Sequence, residues 1–309
     1  MKKMGVTLIE IKQDVPGFNE FFGSWLCEGE LNVVIDAGPA NSAERLVQSL
    51  ASMGLDRLDY ILLTHIHIDH AGGVARLLDA YPEARVICHE KAVNFLVDPS
   101  RLWAGSLKVL GKVAEAYGEP EPVPLQKLIP HPDAEVKGLH IVETPGHAAH
   151  HLSYCFGGRL FAGEAAGNYL KLPQGEYIRP ATPPRFFMDV CLKSVDRLMS
   201  LGDQSICYAH FGQAESSHRC LEIFRDQLLR WEGIIREEVR KGGGALVERC
   251  MDALLRKDPC LQVFHKMGSE VQEREKIFMS NSIRGYLGFL REAGEPIPEG
   301  DLAVRAGTS

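Results

Sequence analysis

The eight cysteines of this chain include no Cys-x-x-Cys pair, so neither a zinc ribbon nor a dithiol redox motif is available. They are scattered, and several lie inside apolar runs, as Cys88 does in Val86-Ile87-Cys88 and Cys207 in Ile206-Cys207-Tyr208. They read as reduced, buried thiols and not as a disulfide framework. No run of lysine and arginine stands out, and 34 basic against 41 acidic side chains leave a formal charge of −7. That balance gives no attraction toward nucleic acid or an anionic membrane surface. No apolar stretch approaches the length of a membrane span, and the run Thr7-Leu8-Ile9-Glu10-Ile11 is too short for the core of a signal peptide. A cytoplasmic protein without a membrane or nucleic-acid partner is expected. Internal repeats and low-complexity segments are absent too.

What is present is an ordinary globular composition, 45% hydrophobic and 24% charged. The 309 residues suffice for one large domain and an appended unit. Three short apolar runs, residues 6–11, 21–27 and 32–36, are separated by glycine-bearing turns and read as an antiparallel meander. Strands and helices then alternate to about residue 212, which signals layered α/β architecture. Residues 165–185 are rich in Gly, Pro and Tyr without periodicity and read as a long irregular loop. Beyond them Leu221, Phe224, Leu228, Trp231 and Ile235 fall at helical spacing. The expected organisation is a catalytic unit over 1–213 and a helical extension over 214–309. That extension is expected to cover a substrate or to form a homodimer interface.

The chemistry concentrates in Thr64-His65-Ile66-His67-Ile68-Asp69-His70, immediately after the strand-like Tyr60-Ile61-Leu62-Leu63. Neutral imidazole is the commonest protein ligand for zinc, and a carboxylate suits zinc, iron or manganese. Three other strand-like runs also end in potential ligands: His147 in Thr144-Pro145-Gly146-His147, Glu164 after Phe161-Ala162-Gly163, and His210 in Ala209-His210-Phe211-Gly212. Ligands at the ends of neighbouring strands can meet in one cleft although they are distant in sequence. His151 is a candidate for supporting the site or touching substrate. Tyr169 and Tyr177 are candidates for donating an O–H to a substrate oxygen. His89, His131, His140, His218 and His265 have no such context and receive no role.

These four motifs, in this order and with Asp36-Ala37-Gly38 upstream, resemble those of the metallo-β-lactamase superfamily, in its glyoxalase II, lactonase and thioesterase-like branch. The resemblance covers residues 6–212. It implies an αββα sandwich, with two mixed sheets face to face and helices outside. By the same resemblance His65, His67 and His147 would hold one metal and Asp69, His70 and His210 a second. Asp36 would brace the histidine turn, and Asp69 would orient the attacking water or move its proton. Two divalent ions are implied, zinc first, with iron or manganese as alternatives. The activity implied is hydrolysis of an ester, thioester or lactone of a small molecule by metal-bound hydroxide. Alternative readings are an iron-dependent dioxygenase or reductase on the same fold and a ligand-binding sensor without turnover.

One position departs from the family. Its bridging carboxylate is usually aspartate, whereas this chain has Glu164. The extra methylene displaces the carboxylate by about 1.5 Å, against a tolerance of ~0.2 Å in ligand distances. Glu164 could bridge after a backbone shift, bind one metal only, or weaken the second site. A retained dinuclear site is expected, because every other ligand of the second metal is in place.

Overall fold

The computed structural model describes residues 4–183 and 185–302. The opening meander forms as β1 (Gly5–Glu10), β2 (Gly23–Glu28) and β3 (Asn32–Ile35), paired antiparallel. Helix α1 (Ala43–Ser52) buries Ala43, Leu46 and Leu50 and carries the chain back over the sheet. Strand β4 (Tyr60–Leu62) then pairs parallel to β3. The histidine turn follows it, including the one-turn helix α2 (Ile68–Ala71), and leads into α3 (Val74–Ala80). Strand β5 (Arg85–Cys88) continues the parallel pairing. Helices α4 (Val93–Val97), α5 (Ser100–Leu110) and α6 (Lys112–Tyr117) lead to β6 (Leu128–Pro130), which completes a six-stranded sheet. Helices α5 and α6 are separated at Gly111, whose φ of 55° no helix continues through.

The second sheet has the order β13-β12-β9-β8-β7. Its strands are β7 (His140–Glu143), β8 (Leu152–Phe156), β9 (Arg159–Gly163), β12 (Ser205–Tyr208) and β13 (Gln213–Ala214). Between β9 and β12 lie a separate hairpin, β10 (Asn168–Leu172) with β11 (Gly175–Arg179), and helix α7 (Met188–Met199). The hairpin corrects the expected irregular loop over 165–185. Pro173 and Gln174 make its two-residue turn, and Leu172 pairs with Gly175 across it. Proline supplies a turn-ready φ, and glycine accepts the φ of 141° that closes the turn.

Strand alternation decides how the layers stack. Trp25, Cys27, Val33, Ile35, Leu62 and Ile87 point toward the second sheet and meet Leu152, Tyr154, Phe161 and Cys207. The intervening Leu26, Val34, Ile61 and Val86 point outward against Leu46, Val74 and Leu77 of the first helical layer. The second sheet is covered by α7 and by the long C-terminal helices α8 (Ser217–Lys241), α9 (Leu246–Lys257) and α10 (Ser269–Glu292). Their Leu228, Trp231, Leu254 and Ile283 share one apolar cluster with Val142 and Leu160 of that sheet. The result is an αββα sandwich. Burial pushes the Cys27 and Cys88 thiols up to about 12, and all eight cysteines are free. No helix among the described residues is long and apolar enough to cross a membrane.

Candidate metal centre

The two sheets are stitched together where the histidine turn leaves β4. The Leu152 amide donates to the Thr64 carbonyl at 2.7 Å, and the Tyr154 hydroxyl donates to the Leu63 carbonyl at 2.6 Å. The segment after β3 clasps the turn from the other side: the Ala37 amide donates to the His70 carbonyl at 2.7 Å and the Gly73 amide to the Gly38 carbonyl at 2.9 Å. A Cβ on Gly73 would stand 2.5 Å from the Ala37 carbonyl oxygen, so that approach requires glycine. Asp36 sits in the clasp with φ of 58°, a left-handed conformation that aspartate tolerates better than most residues. Its Oδ1 accepts from the Thr64 amide and its Oδ2 from the Thr64 hydroxyl, each at 2.8 Å, and Oδ2 also accepts from His70 Nδ1 at 3.1 Å.

Strand ends bring the other side chains to the same place. His147 follows β7 and His210 follows β12. Glu164 follows β9, where Phe161 and Gly163 pair with the consecutive Cys207 and Tyr208, so that Ala162 bulges out of the ladder. Gly163, with φ of 58°, lets the chain pass over His151; a Cβ there would lie 2.4 Å from His151 Nε2. His65, His67, His147 and Glu164 form one group of potential ligands, and Asp69, His70 and His210 another, each with its donor atoms within 4.8 Å of one another.

The hydrogen bonds fix which nitrogen faces the centre. His147 donates Nδ1–H to the Ala181 carbonyl at 2.6 Å, and His70 donates Nδ1–H to Asp36. The Thr64 hydroxyl commits its proton to Asp36, so at 3.1 Å it accepts from His65 Nδ1. All three rings therefore turn Nε2 toward the centre, and in their neutral form, the form that binds a metal, that nitrogen is bare. His67 Nδ1 lies 3.0 Å from His65 Nε2 and 2.9 Å from His147 Nε2. One Nδ1–H on His67 could serve only one of these two neighbours, whereas a tetrahedral zinc takes all three nitrogens, its ligands lying about 2.0–2.1 Å from the ion and about 3.3 Å apart. His70 Nε2, buried, has no hydrogen-bond partner among the described residues. The residues fit a divalent ion in each group.

Glu164 lies between the groups. Its Oε2 is 2.8 Å from His147 Nε2 and 3.3 Å from His65 Nε2, and its Oε1 is 3.1 Å from His210 Nε2. Burial works against this carboxylate, but the imidazoles of His147 and His210 outweigh it and hold its pKa well below the usual range. Burial, then the neighbouring rings, pushes His65 and His67 well below the usual imidazole value. At His70 burial is overcome by Asp69, Asp36 and Glu164, which hold that ring well above it. Asp69 and His147 are 14% and 11% exposed, against 0% for His65.

The other sequence candidates are placed differently. His151 is fully buried; its Nδ1 is 2.8 Å from the Thr144 hydroxyl and its Nε2 accepts from the Glu164 amide at 3.0 Å, so it braces the Glu164 turn. Tyr169 and Tyr177 lie on the β10–β11 hairpin, and both are buried. The Tyr169 hydroxyl donates to Glu176 at 2.8 Å and the Tyr177 hydroxyl to Glu275 at 3.0 Å. Neither O–H is free for a substrate, because a packed hairpin has taken the place of the expected loop.

A different tyrosine meets that description. Tyr117, the last residue of α6, is buried, and its hydroxyl has no partner among the described residues. Burial chiefly, and then the Asp69 carboxylate, raises its pKa well above the usual value, which places Asp69 in its electrostatic neighbourhood. Its ring packs edge-on against Phe22, which in turn contacts His210. Nothing local in sequence marks Tyr117, because the docking of α6 beside α2 is a tertiary event.

Residues 24–210 match the family model described as the metallo-beta-lactamase superfamily. Among curated proteins, the chain is 31% identical over 246 residues to "Metallo-beta-lactamase fold-containing protein ST1585" of Sulfurisphaera tokodaii, covering 75% of this chain and 87% of that one. It is also 31% identical over 206 residues to a hydroxyacylglutathione hydrolase of Cupriavidus taiwanensis, covering 64% of this chain and 65% of that protein. The solved structure of the archaeal ST1585 superimposes with a TM-score of 0.60 at 30% identity, over 82% of this chain and 98% of that one. The Thermus thermophilus protein TTHA1429, at 22% identity and a TM-score of 0.63 over 94% of both chains, shares the fold.

Proposed function

This chain belongs to the metallo-β-lactamase superfamily, and on that premise we propose that it is a hydrolase with two divalent ions, zinc first, acting on an ester, thioester or lactone of a small molecule. The observation that carries this reading is Glu164, whose one carboxylate touches the first group through Oε2 and the second through Oε1. That is the placement a bridging ligand needs, reached by a side chain one methylene longer than the usual aspartate. Bound there, a divalent ion lowers the pKa of water from about 15.7 to about 7 and polarises a carbonyl oxygen.

The chain's own groups supply the rest. Asp69 lies 3.5 Å from His70 Nε2 and is more open than His65, His70, His147 and His210, so it can orient the attacking water and accept its proton. The free Tyr117 hydroxyl can donate to the oxygen that gains charge as the bond breaks. Sequence similarity to a hydroxyacylglutathione hydrolase over 64% of this chain supports a thioester as the first substrate to assay.

Protein purified without added metal tests the reading, with metal content measured beside turnover of an ester, a thioester and a lactone. Two ions per chain are expected, with turnover that chelation abolishes and zinc restores. One ion per chain overturns the dinuclear site, and turnover indifferent to chelation overturns the metal dependence.

A further inference from the structure

Hairpin register places Asn168 directly opposite Arg179, and both are buried, at 5% and 2% exposure. The Asn168 amide has one acceptable orientation. Its Nδ2 donates to Glu164 Oε1 at 3.0 Å while its Oδ1 accepts from Arg179 Nη2 at 2.9 Å. The reverse orientation would set an amide oxygen against a carboxylate and an NH2 against a guanidinium. Arg179 is anchored in turn, donating its Nε–H to Glu275 Oε2 on α10. Glu275 also accepts from the Tyr177 hydroxyl at 3.0 Å and from Arg274 Nε at 3.0 Å. Arg274 lies over the ring of Phe21, 4.0 Å from its centroid, and Phe21 stacks on His210 at 4.3 Å. A single buried carboxylate of the last long helix thus reaches both sides of the centre. Two guanidinium groups against that one carboxylate leave a positive charge in excess beside Glu164.

A glutamate has one more rotatable bond than an aspartate, and each freely rotating bond must be fixed for its oxygens to stay in place. The imidazoles cannot do this alone, because their nitrogens are the ones that would turn to a metal. Asn168 is neutral, buried and outside both ligand groups. It holds one lone pair of Oε1 and leaves the other lone pairs of the carboxylate open.

We propose that Asn168, held by Arg179 and through it by Glu275, is a positioning residue that fixes the Glu164 carboxylate astride the two ligand groups, and that α10 acts on the centre through it. The proposal rests on the two-ion reading given above. Its test is zinc affinity of the full chain, measured by chelator competition on wild type and on Asn168→Leu, with thermal melting of the metal-free proteins alongside. Wild type is expected to bind two ions. Asn168→Leu is expected to keep the tighter ion and to hold the weaker one about 10–100-fold less well, while the metal-free protein still melts cooperatively, at a somewhat lower temperature because Arg179 Nη2 loses a buried acceptor. In a Glu164→Asp background the same substitution is expected to have almost no effect, because the shorter side chain no longer needs the clamp. Asn168→Ala removes the same donor without adding bulk and carries the test if the leucine variant does not fold. Two ions bound by Asn168→Leu as tightly as by wild type overturn the clamp and leave the two-ion reading standing. If wild type binds one ion, the two-ion reading fails, and the clamp, as proposed, falls with it.

Discussion

Two clusters of histidine and carboxylate sit at the same edge of this sandwich, and only one of them is built to take a metal. His65, His70 and His147 use Nδ1–H as a donor, to Thr64, Asp36 and the Ala181 carbonyl, and so in their neutral form turn a bare Nε2 inward. The second cluster comprises His89 after β5, His131 after β6 and Glu143 at the end of β7, also with ligand atoms within 4.8 Å. There the hydrogen bonds run the other way. His89 Nδ1 accepts from the Lys91 amide at 3.1 Å, and His131 Nδ1 accepts from the Glu90 amide at 3.3 Å. In the neutral rings the proton must then reside on Nε2, which points at Glu143, at 3.7 Å from His89 and 3.2 Å from His131. A metal-binding imidazole ordinarily donates its second nitrogen's proton outward, and these two cannot. Residue type and spacing are alike in the two places; the partner of Nδ1 separates them.

The largest effect should come from removing an inward nitrogen. His147→Ala is expected to lower turnover at least about 1000-fold and to remove at least one ion, because a site with three close nitrogens loses both a ligand and its geometry. Metal analysis beside kcat checks this, and an active, fully loaded variant would break the comparison. Next in size is Asp36→Ala. It strands the Thr64 amide, the Thr64 hydroxyl and His70 Nδ1. Metal affinity should fall about 10–100-fold, and stability by about 1–3 kcal/mol. Chelator competition and denaturant melts read the two separately.

The histidine turn was legible because its ligands follow an apolar run within a few residues, and strand ends are where such side chains converge. His147 and His210 were legible for the same reason. Asp69 was legible as the carboxylate of the histidine turn, whereas its catalytic role, and Asp36 altogether, were reached through the family resemblance. The orientation of His151 was not legible, since only the passage of Gly163 over its ring turns Nε2 toward the Glu164 amide. Tyr169 and Tyr177 misled because composition masked a hairpin whose Pro173-Gln174 turn is short. Asn168, Arg179 and Glu275 meet only when α10 packs against that hairpin, 96 residues beyond Arg179. No periodicity within either element announces such a contact.

Tyr117 offers a smaller and more selective test. Tyr117→Phe removes a buried hydroxyl that has no partner among the described residues, so metal content should stay at the wild-type value and stability should hold or rise slightly. If the hydroxyl meets the substrate oxygen as charge develops, kcat should fall about 10–100-fold with KM little changed. Unchanged kcat on every substrate that wild type hydrolyses would remove the assigned role while leaving the metal centre untouched.

The smallest effect is expected at the second cluster, and it bears most directly on the tautomer argument. Glu143 is 50% exposed and His131 is 10% exposed, so water can replace what their pairing supplies, and an ion pair of this exposure contributes little. His131→Ala leaves the Glu90 amide at an exposed position, where water can accept from it. A loss below about 1 kcal/mol is therefore expected in thermal melting, with the number of bound ions and turnover unchanged. If wild type instead carries a third ion that His131→Ala loses, His89 and His131 must release their Nε2 protons and give up the backbone amides they now cap. The orientation of Nδ1 would then follow the metal and could not serve to predict it.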